Sequence, residues 1–319
     1  MAEKLGLDEL RAHALATIGL AKRYLGDPSA GEHLDRALEI ALAIDSPIAS
    51  TIVNNLAVFA TFDGDLERTE ELYTEALGLA QRFGDGSSAR FIRANRIWVA
   101  FMRGNWDSAL EGAEAFVTEC VAGSPHTQEA GVRLVRGSIR EARGDSDGAL
   151  ADHLRAVTLA RESEDLAQLV VAFALCSATH AERGEDDEAR ALVEELIPAL
   201  RRHGPHGAVN SIAHLANQLG VTEELREVLQ QLQPGRDHPW IRAALLALDG
   251  DFRAAADVFA GMRNLTLEAE MRLHAGEHLI ELRKPAEGEA ELEKALSFYR
   301  RVGATYYIGR AEALRRESA

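Results

Sequence analysis

Cysteine, proline, lysine and aromatic side chains are all scarce: the 319 residues include 2 cysteines, 8 prolines and 6% aromatics. Only Lys4, Lys22, Lys284 and Lys294 among the 35 basic residues are lysines, an arginine bias expected of a GC-rich genome. The two cysteines, Cys120 and Cys176, fall on predicted helices of different segments, so a disulfide-stapled fold is excluded and a reduced, cytoplasmic location is expected. Cations are also in deficit, 35 against 51 acidic residues for a net charge of −16. Binding to nucleic acid draws on cations that displace counterions from phosphate, so no nucleic-acid partner is expected, and anionic membrane surfaces repel such a chain. The longest apolar run, Leu169 to Cys176, falls far short of the ~20 residues that span a bilayer. The first residues, MAEKLGLDEL, lack the apolar stretch of a signal peptide, and a soluble protein is expected. No G-x-x-x-x-G-K-[ST] loop is present, which excludes phosphate cradling by that route. The sequence offers no cofactor site and no set of catalytic groups.

What is present is repetition. Glycine followed by a polar or acidic residue recurs at Gly26-Asp27, Gly64-Asp65, Gly104-Asn105, Gly144-Asp145, Gly184-Glu185 and Gly250-Asp251, with first gaps of 38, 40, 40 and 40 residues. Seven residues before the glycine stand Gly19, Ala57, Ile97, Gly137 and Ser177, small residues except for Ile97. Five after it come Thr69, Ala109, Ala149, Ala189 and Ala255; nine after, the often larger Tyr73, Ala113, His153, Val193 and Phe259. A period near 40 residues with small residues at fixed offsets is the pattern of stacked helical pairs, each burying its apolar face against its neighbours. Abundant alanine and leucine favour helices, and no segment reads as a strand.

Small positions around a mid-repeat Gly-Asp turn resemble the tetratricopeptide repeat in a longer variety. That resemblance implies an all-α, right-handed α-solenoid of about eight helix-turn-helix repeats with a C-terminal capping helix, in one domain over 1–319. The repeats are expected at 7–47, 48–88, 89–125, 128–164, 166–203, 206–234, 239–264 and 265–303, with the cap at 304–319. Pro28 suits a first helical turn, and Gly204-Pro205 and Pro234-Gly235 mark breaks. The interval 203–250 is weaker in phase, with a turn at Gly220-Val221; the last repeat turns at Lys284-Pro285. Phe298, Tyr299, Tyr306 and Tyr307 are expected to pack the cap. The phrases LGLDELRAHALATIGLAKRYLGDP, VRGSIREARGD and EAELEKALSFYRRVGATYYIGRAEAL are similar to the C-terminal repeat arrays of large bacterial signalling ATPases and class III nucleotide cyclase-linked regulators. This implies a non-catalytic interaction or regulatory module; the alternative is a ligand-sensing fragment of such a regulator.

The candidate ligand-binding residues are Arg93, Arg96, Arg133, Arg136 and Arg140, with Asn54 and Asn95. Arg93, Arg96 and Arg103 in repeat three, and Arg133, Arg136, Arg140 and Arg143 in repeat four, lie at spacings that share one helical face, and 93/133, 96/136 and 103/143 are each 40 apart. Arginine forks bind carboxylate or phosphate bidentately, so the row reads as an anion-recognising patch for a protein or peptide partner, or for a second copy of the chain. The competing reading is that these side chains pair with acidic neighbours such as Glu129 and Glu141. Asn54, Asn55, Asn95, Asn210 and Asn217 fall in first helices, where asparagine is unfavourable. They bond either an extended ligand backbone or neighbouring helices. His274-Ala275-Gly276-Glu277-His278 spells H-x-x-E-H, but its phase makes it the first helix of the last repeat, leaving a zinc hydrolase as a remote alternative. His203, His206 and His214 read as surface polar residues, and no metal site is expected.

Overall fold

The computed structural model describes residues 7–24, 27, 29–204, 207–232 and 238–317. Gly26, Pro28, Pro205, His206, Pro234 and Gly235 lie outside the described residues. Among those described, no strand occurs, and no helix is long and apolar enough to cross a membrane. The chain divides into two compact units, Met1–Arg96 and Ile97–Ala319. The first holds the helix pairs α1 (Asp8–Tyr24) with α2 (Ala30–Ala43) and α3 (Ile48–Asp63) with α4 (Leu66–Arg82). The division falls within α5 (Gly86–Met102). In the second unit α6 (Trp106–Val121) is followed by the pairs α7 (Glu129–Ala142) with α8 (Ser146–Ser163) and α9 (Leu166–Glu182) with α10 (Asp186–His203). Three short helices follow, α11 (Asn210–Ala213), α12 (Ala216–Leu219) and α13 (Thr222–Gln231). The last are α14 (Pro239–Leu248) with α15 (Phe252–Gly261), α16 (Leu265–Glu281) with α17 (Pro285–Val302), and α18 (Thr305–Glu317).

The recurrent Gly-Asp pair has a physical explanation. At Gly64, Gly144 and Gly250 the backbone turns left-handed, with φ of 80°, 90° and 76°, which glycine adopts without a Cβ penalty as it ends the first helix. The next residue starts the second: the side chains of Asp65, Asp145 and Asp251 accept from the backbone N–H of Arg68, Gly148 and Ala254. Two adjacent residues thus end one helix and cap the next. Glu185 is one methylene too long for this and instead accepts from His180 and Arg183.

The small residue seven before the turn marks where the paired helices touch. A Cβ built on Gly19 would lie 2.7 Å from Leu34, and one on Gly137 would lie 2.4 Å from His153. In the last pair the left-handed turn residue is Arg283, φ 59°, and seven before it Gly276 would meet Leu292 at 2.5 Å. Ile97 departs from the rule without penalty because its partner helix supplies the small residue, Gly112, 3.1 Å from Ile97 by the same measure.

The core of the first unit is built from Ala12, Ala37, Ile40, Ala41 and Ile52; that of the second from residues such as Leu134, Val170, Leu196, Ile212, Trp240 and Phe259. The sixth repeat keeps its turn at Gly220, φ 69°, but its first helix is broken into a 3₁₀ turn, Gly207–Val209, and α11 and α12. Buried Asn210 explains the break: its Nδ2 donates to the carbonyls of Gly207 and Trp240, a local alternative to the helical ladder.

Candidate functional site

The arginines at 133, 136 and 140 converge on one carboxylate. Asp152 of α8, 2% exposed, accepts from Arg133 Nη1 at 3.1 Å, Arg136 Nε at 2.8 Å and Arg140 Nη1 at 2.8 Å. Arg133 also donates through Nε to Glu129 at 2.8 Å, whereas Arg140 reaches exposed Asp145 only at 4.0 Å. Three guanidiniums therefore share two buried carboxylates. Glu129 is the acidic partner expected from sequence; Asp152 was not anticipated, because it lies on the other helix of the pair.

The same arrangement returns in the last pair. Arg272, eleven residues before the turn like Arg133, donates to Glu291 at 3.1 Å and lies 3.6 Å from Glu268, in the places of Asp152 and Glu129. Repeat eight, however, has Ala275 and Leu279 where repeat four has Arg136 and Arg140. The offset-eleven arginine thus clamps the two helices of a pair, and the further two are the addition peculiar to repeat four.

In the first unit Arg93 and Arg96 lie on an exposed face of α5. Asn95, on the same helix, donates through Nδ2 to Oδ1 of Asn54 on α3 at 3.2 Å, so these two residues bond each other. In the second unit Arg143 turns away from Asp152 to the carbonyl of Val302 at 3.0 Å and to exposed Asp107 at 2.6 Å.

A second constellation, which the sequence gave little sign of, lies inside the second unit. Helix α18 packs on α17, with Tyr307 stacked on Tyr299 at 5.1 Å, as expected of a cap, and it also reaches the first helices of other pairs. Arg310 makes a bidentate pair with Glu277 of α16, at 2.6 and 3.0 Å, and donates to Glu182 of α9 at 3.0 Å; the Tyr306 hydroxyl donates to Glu182 at 3.1 Å. Glu141 and Glu270 belong to the same surroundings. Burial pushes Glu141 up to about 7, with the charge of Glu182 adding to the shift and a Thr179 hydrogen bond and Arg183 opposing it. Burial pushes Glu270 up to about 8, aided by Glu182 and Glu141 and opposed by Arg310. Glu277 behaves differently: burial raises it, but the hydrogen bond and charge of His274 together with Arg310 hold it below its ordinary value.

His214 corrects its reading as a surface residue. It sits between α11 and α12 with 7% of its side chain exposed, stacked on the His274 ring at 4.0 Å. Burial, then the neighbouring His274 and Arg310, hold its imidazole well below the ordinary range. The H-x-x-E-H spelling does not form a site: His274 and Glu277 face inward, but His278 is 41% exposed beside Glu281 and Phe252. Cys120 and Cys176 are buried, and burial pushes the Cys176 thiol up to about 12.

No protein-family model matches the sequence, and no curated protein matches it. Solved structures do. A Rap protein complexed with competence and sporulation factor aligns over 99% of both chains with a TM-score of 0.51 at 11% identity. The chain has the tetratricopeptide-repeat fold. A tetratricopeptide repeat protein from Parabacteroides merdae aligns over 95% of this chain and 99% of its own, at TM-score 0.41 and 15% identity. A signal transduction ATPase with a tetratricopeptide repeat sensor, from Pyrococcus horikoshii, aligns over 99% of this chain and 48% of its own, at TM-score 0.47 and 15% identity. In tetratricopeptide terms, the Asp152 cluster joins the two helices of repeat four, and the acidic constellation lies among the first helices of repeats four, five and eight.

Proposed function

We propose that the chain is a non-catalytic interaction module that recognises an anionic protein or peptide segment through arginine side chains of its first helices. The observation that supports this most is the surplus at repeat four: Arg133, Arg136 and Arg140 against the buried carboxylates Glu129 and Asp152. A carboxylate from a partner would complete the set, and Arg140, with 30% of its side chain exposed, is the member it would meet first. In the first unit, Arg93 and Arg96 with Asn95 and Asn54 offer the corresponding face. The repeat fold suits such a role, since stacked helical pairs present extended surfaces for binding. The Rap protein of the same fold was solved complexed with competence and sporulation factor, which agrees with a partner-binding role.

The test is fluorescence polarisation of an acidic peptide library against the full chain and two variants, Arg140→Gln and Arg96→Glu. A charge-assisted hydrogen bond contributes about 1.5–3 kcal/mol, so loss of a contacted arginine weakens binding by about 10-fold or more. The expected result is selective binding of acidic peptides that at least one variant weakens by that factor while retaining wild-type helicity. Binding that neither variant alters, or no binding by the wild type, overturns the reading.

A second reading has its own support. The acidic constellation is enclosed by the chain's own α18, an arrangement suited to a small effector rather than a long peptide. On that reading the chain is the sensing part of a larger regulator, and effector binding acts through displacement of Arg310 from Glu182 and Glu277.

A further inference from the structure

Three orphaned polar atoms are buried around that constellation: Glu141 Oε1, His214 Nδ1 and Tyr299 Oη make no hydrogen bond. Buried polar groups are nearly always paired, so three together call for an explanation. Their surroundings are unbalanced as well. Glu141, Glu182, Glu270 and Glu277 share one guanidinium, that of Arg310, which is fully engaged with Glu182 and Glu277.

His214, Glu270 and His274 bring three potential ligand atoms within 4.8 Å of one another. Glu270 and His274 are four apart on α16 and so share a face. His214 comes from a different repeat and is delivered by the break between α11 and α12, where a continuous helix would not have placed the same residue at a helix junction. Its orphaned Nδ1 lies 3.7 Å from Glu270 Oε1, too far for a hydrogen bond but at a separation that an ion can bridge. His274 carries the supporting contact seen in metal sites: its Nδ1 bonds Glu277 Oε2 at 3.0 Å, which fixes the ring and leaves Nε2 as the acceptor. Glu277 is in turn held by Arg310.

We propose that His214, Glu270 and His274 form a binding site for one divalent transition-metal ion of the zinc type, oriented by Glu277 and Arg310. Two imidazoles and one carboxylate favour zinc, cobalt or nickel over magnesium or calcium, whose preferred ligands are oxygen. Tetrahedral coordination with bonds of about 2.0–2.1 Å sets ligand atoms roughly 3.3 Å apart, so the three side chains close by modest rotations. Three protein ligands leave a fourth position for water or an effector group. The ion also links repeat six to repeat eight across the weakest-phased part of the chain.

The site is tested on the full chain, stripped with a chelator and titrated with Zn²⁺ by calorimetry and with Co²⁺ by visible absorption. Expected are one equivalent of Zn²⁺ per chain and a Co²⁺ spectrum of tetrahedral intensity. His214→Ala and Glu270→Gln should each weaken binding at least 10-fold, while His278→Ala, at an exposed histidine, should leave it unchanged. Absence of stoichiometric binding by the wild type overturns the proposal, whether or not any variant folds. So does binding that survives both ligand variants with wild-type helicity, or that is lost in His278→Ala. Acidic-peptide binding is measured separately, so either proposal can fail while the other stands.

Discussion

At the scale of single residues, Glu141 is the side chain whose environment departs most plainly from what its sequence position suggests. It stands on α7 beside the arginine row, yet its neighbours are Thr179, Glu182 and Arg183, with Cys176 and Tyr307 nearby. Its folded pKa of about 7 lies above the ordinary value, so the folded state retains a proton that the unfolded chain releases. Stability from this group is fully present below about pH 4.5 and is lost as pH rises through 7. Buried His153, pushed down to about 4, acts with the opposite sign below its ordinary range, so total stability mixes the two. The difference between wild type and Glu141→Gln isolates the carboxyl group. In chelator-treated protein, that difference in unfolding free energy should shift against the wild type by about 2 kcal/mol between pH 5 and pH 8, measured by urea unfolding. A difference that stays flat with pH would show Glu141 ionising as an ordinary surface carboxylate.

At the scale of elements, the close approach of paired helices rests on glycine in α7. Alanine is the better helix former by about 1 kcal/mol, but at Gly137 the added methyl meets the buried His153 ring at 2.4 Å and the Ala149 carbonyl at 3.2 Å. Overpacking costs about 1–3 kcal/mol, and with little room for the ring to move it should outweigh the helix preference. Gly137→Ala should therefore destabilise by about 1–2 kcal/mol, whereas Gly78→Ala on α4, where nothing lies within 4 Å, should stabilise by about 0.5–1 kcal/mol. Thermal unfolding of the two variants checks both signs. The Gly-Asp turns and the small residues before them were legible in the sequence because turn chemistry and helix approach act on local, periodic positions. The Arg133–Asp152 and Arg272–Glu291 clamps were not, since each partner lies on the other helix and becomes a neighbour only once the pair is in register. Gly276 was hidden by a one-residue misplacement of the last turn, which falls at Arg283, a non-glycine residue with φ 59°.

At the scale of the whole molecule, the all-helical repeat fold was legible because six turns agree in phase, and a repeat array follows from that agreement alone. The interior of the second unit was not. His214 is more than 50 residues from Glu270, and Arg310 more than 120 from Glu182, so no local pattern announces either meeting. Within that unit the last helices also return to the first: Thr266 Oγ1 donates to the Phe101 carbonyl at 2.6 Å, the Trp106 indole donates to Thr266 at 3.0 Å, and Phe298 packs edge-on to Trp106 at 5.7 Å. Such contacts hold the acidic constellation among fixed neighbours and leave recognition by repeat four to the outlying arginines around Asp152. The measurement that bears most directly on this division of roles is hydrogen–deuterium exchange across the full chain, with and without the tightest-binding acidic peptide. Slowed exchange concentrated in α7 and α8, from Glu129 to His153, is the expected result. Slowing confined to α16 and α18, or no change in α7 and α8 at saturating peptide, would contradict recognition through the arginines of repeat four.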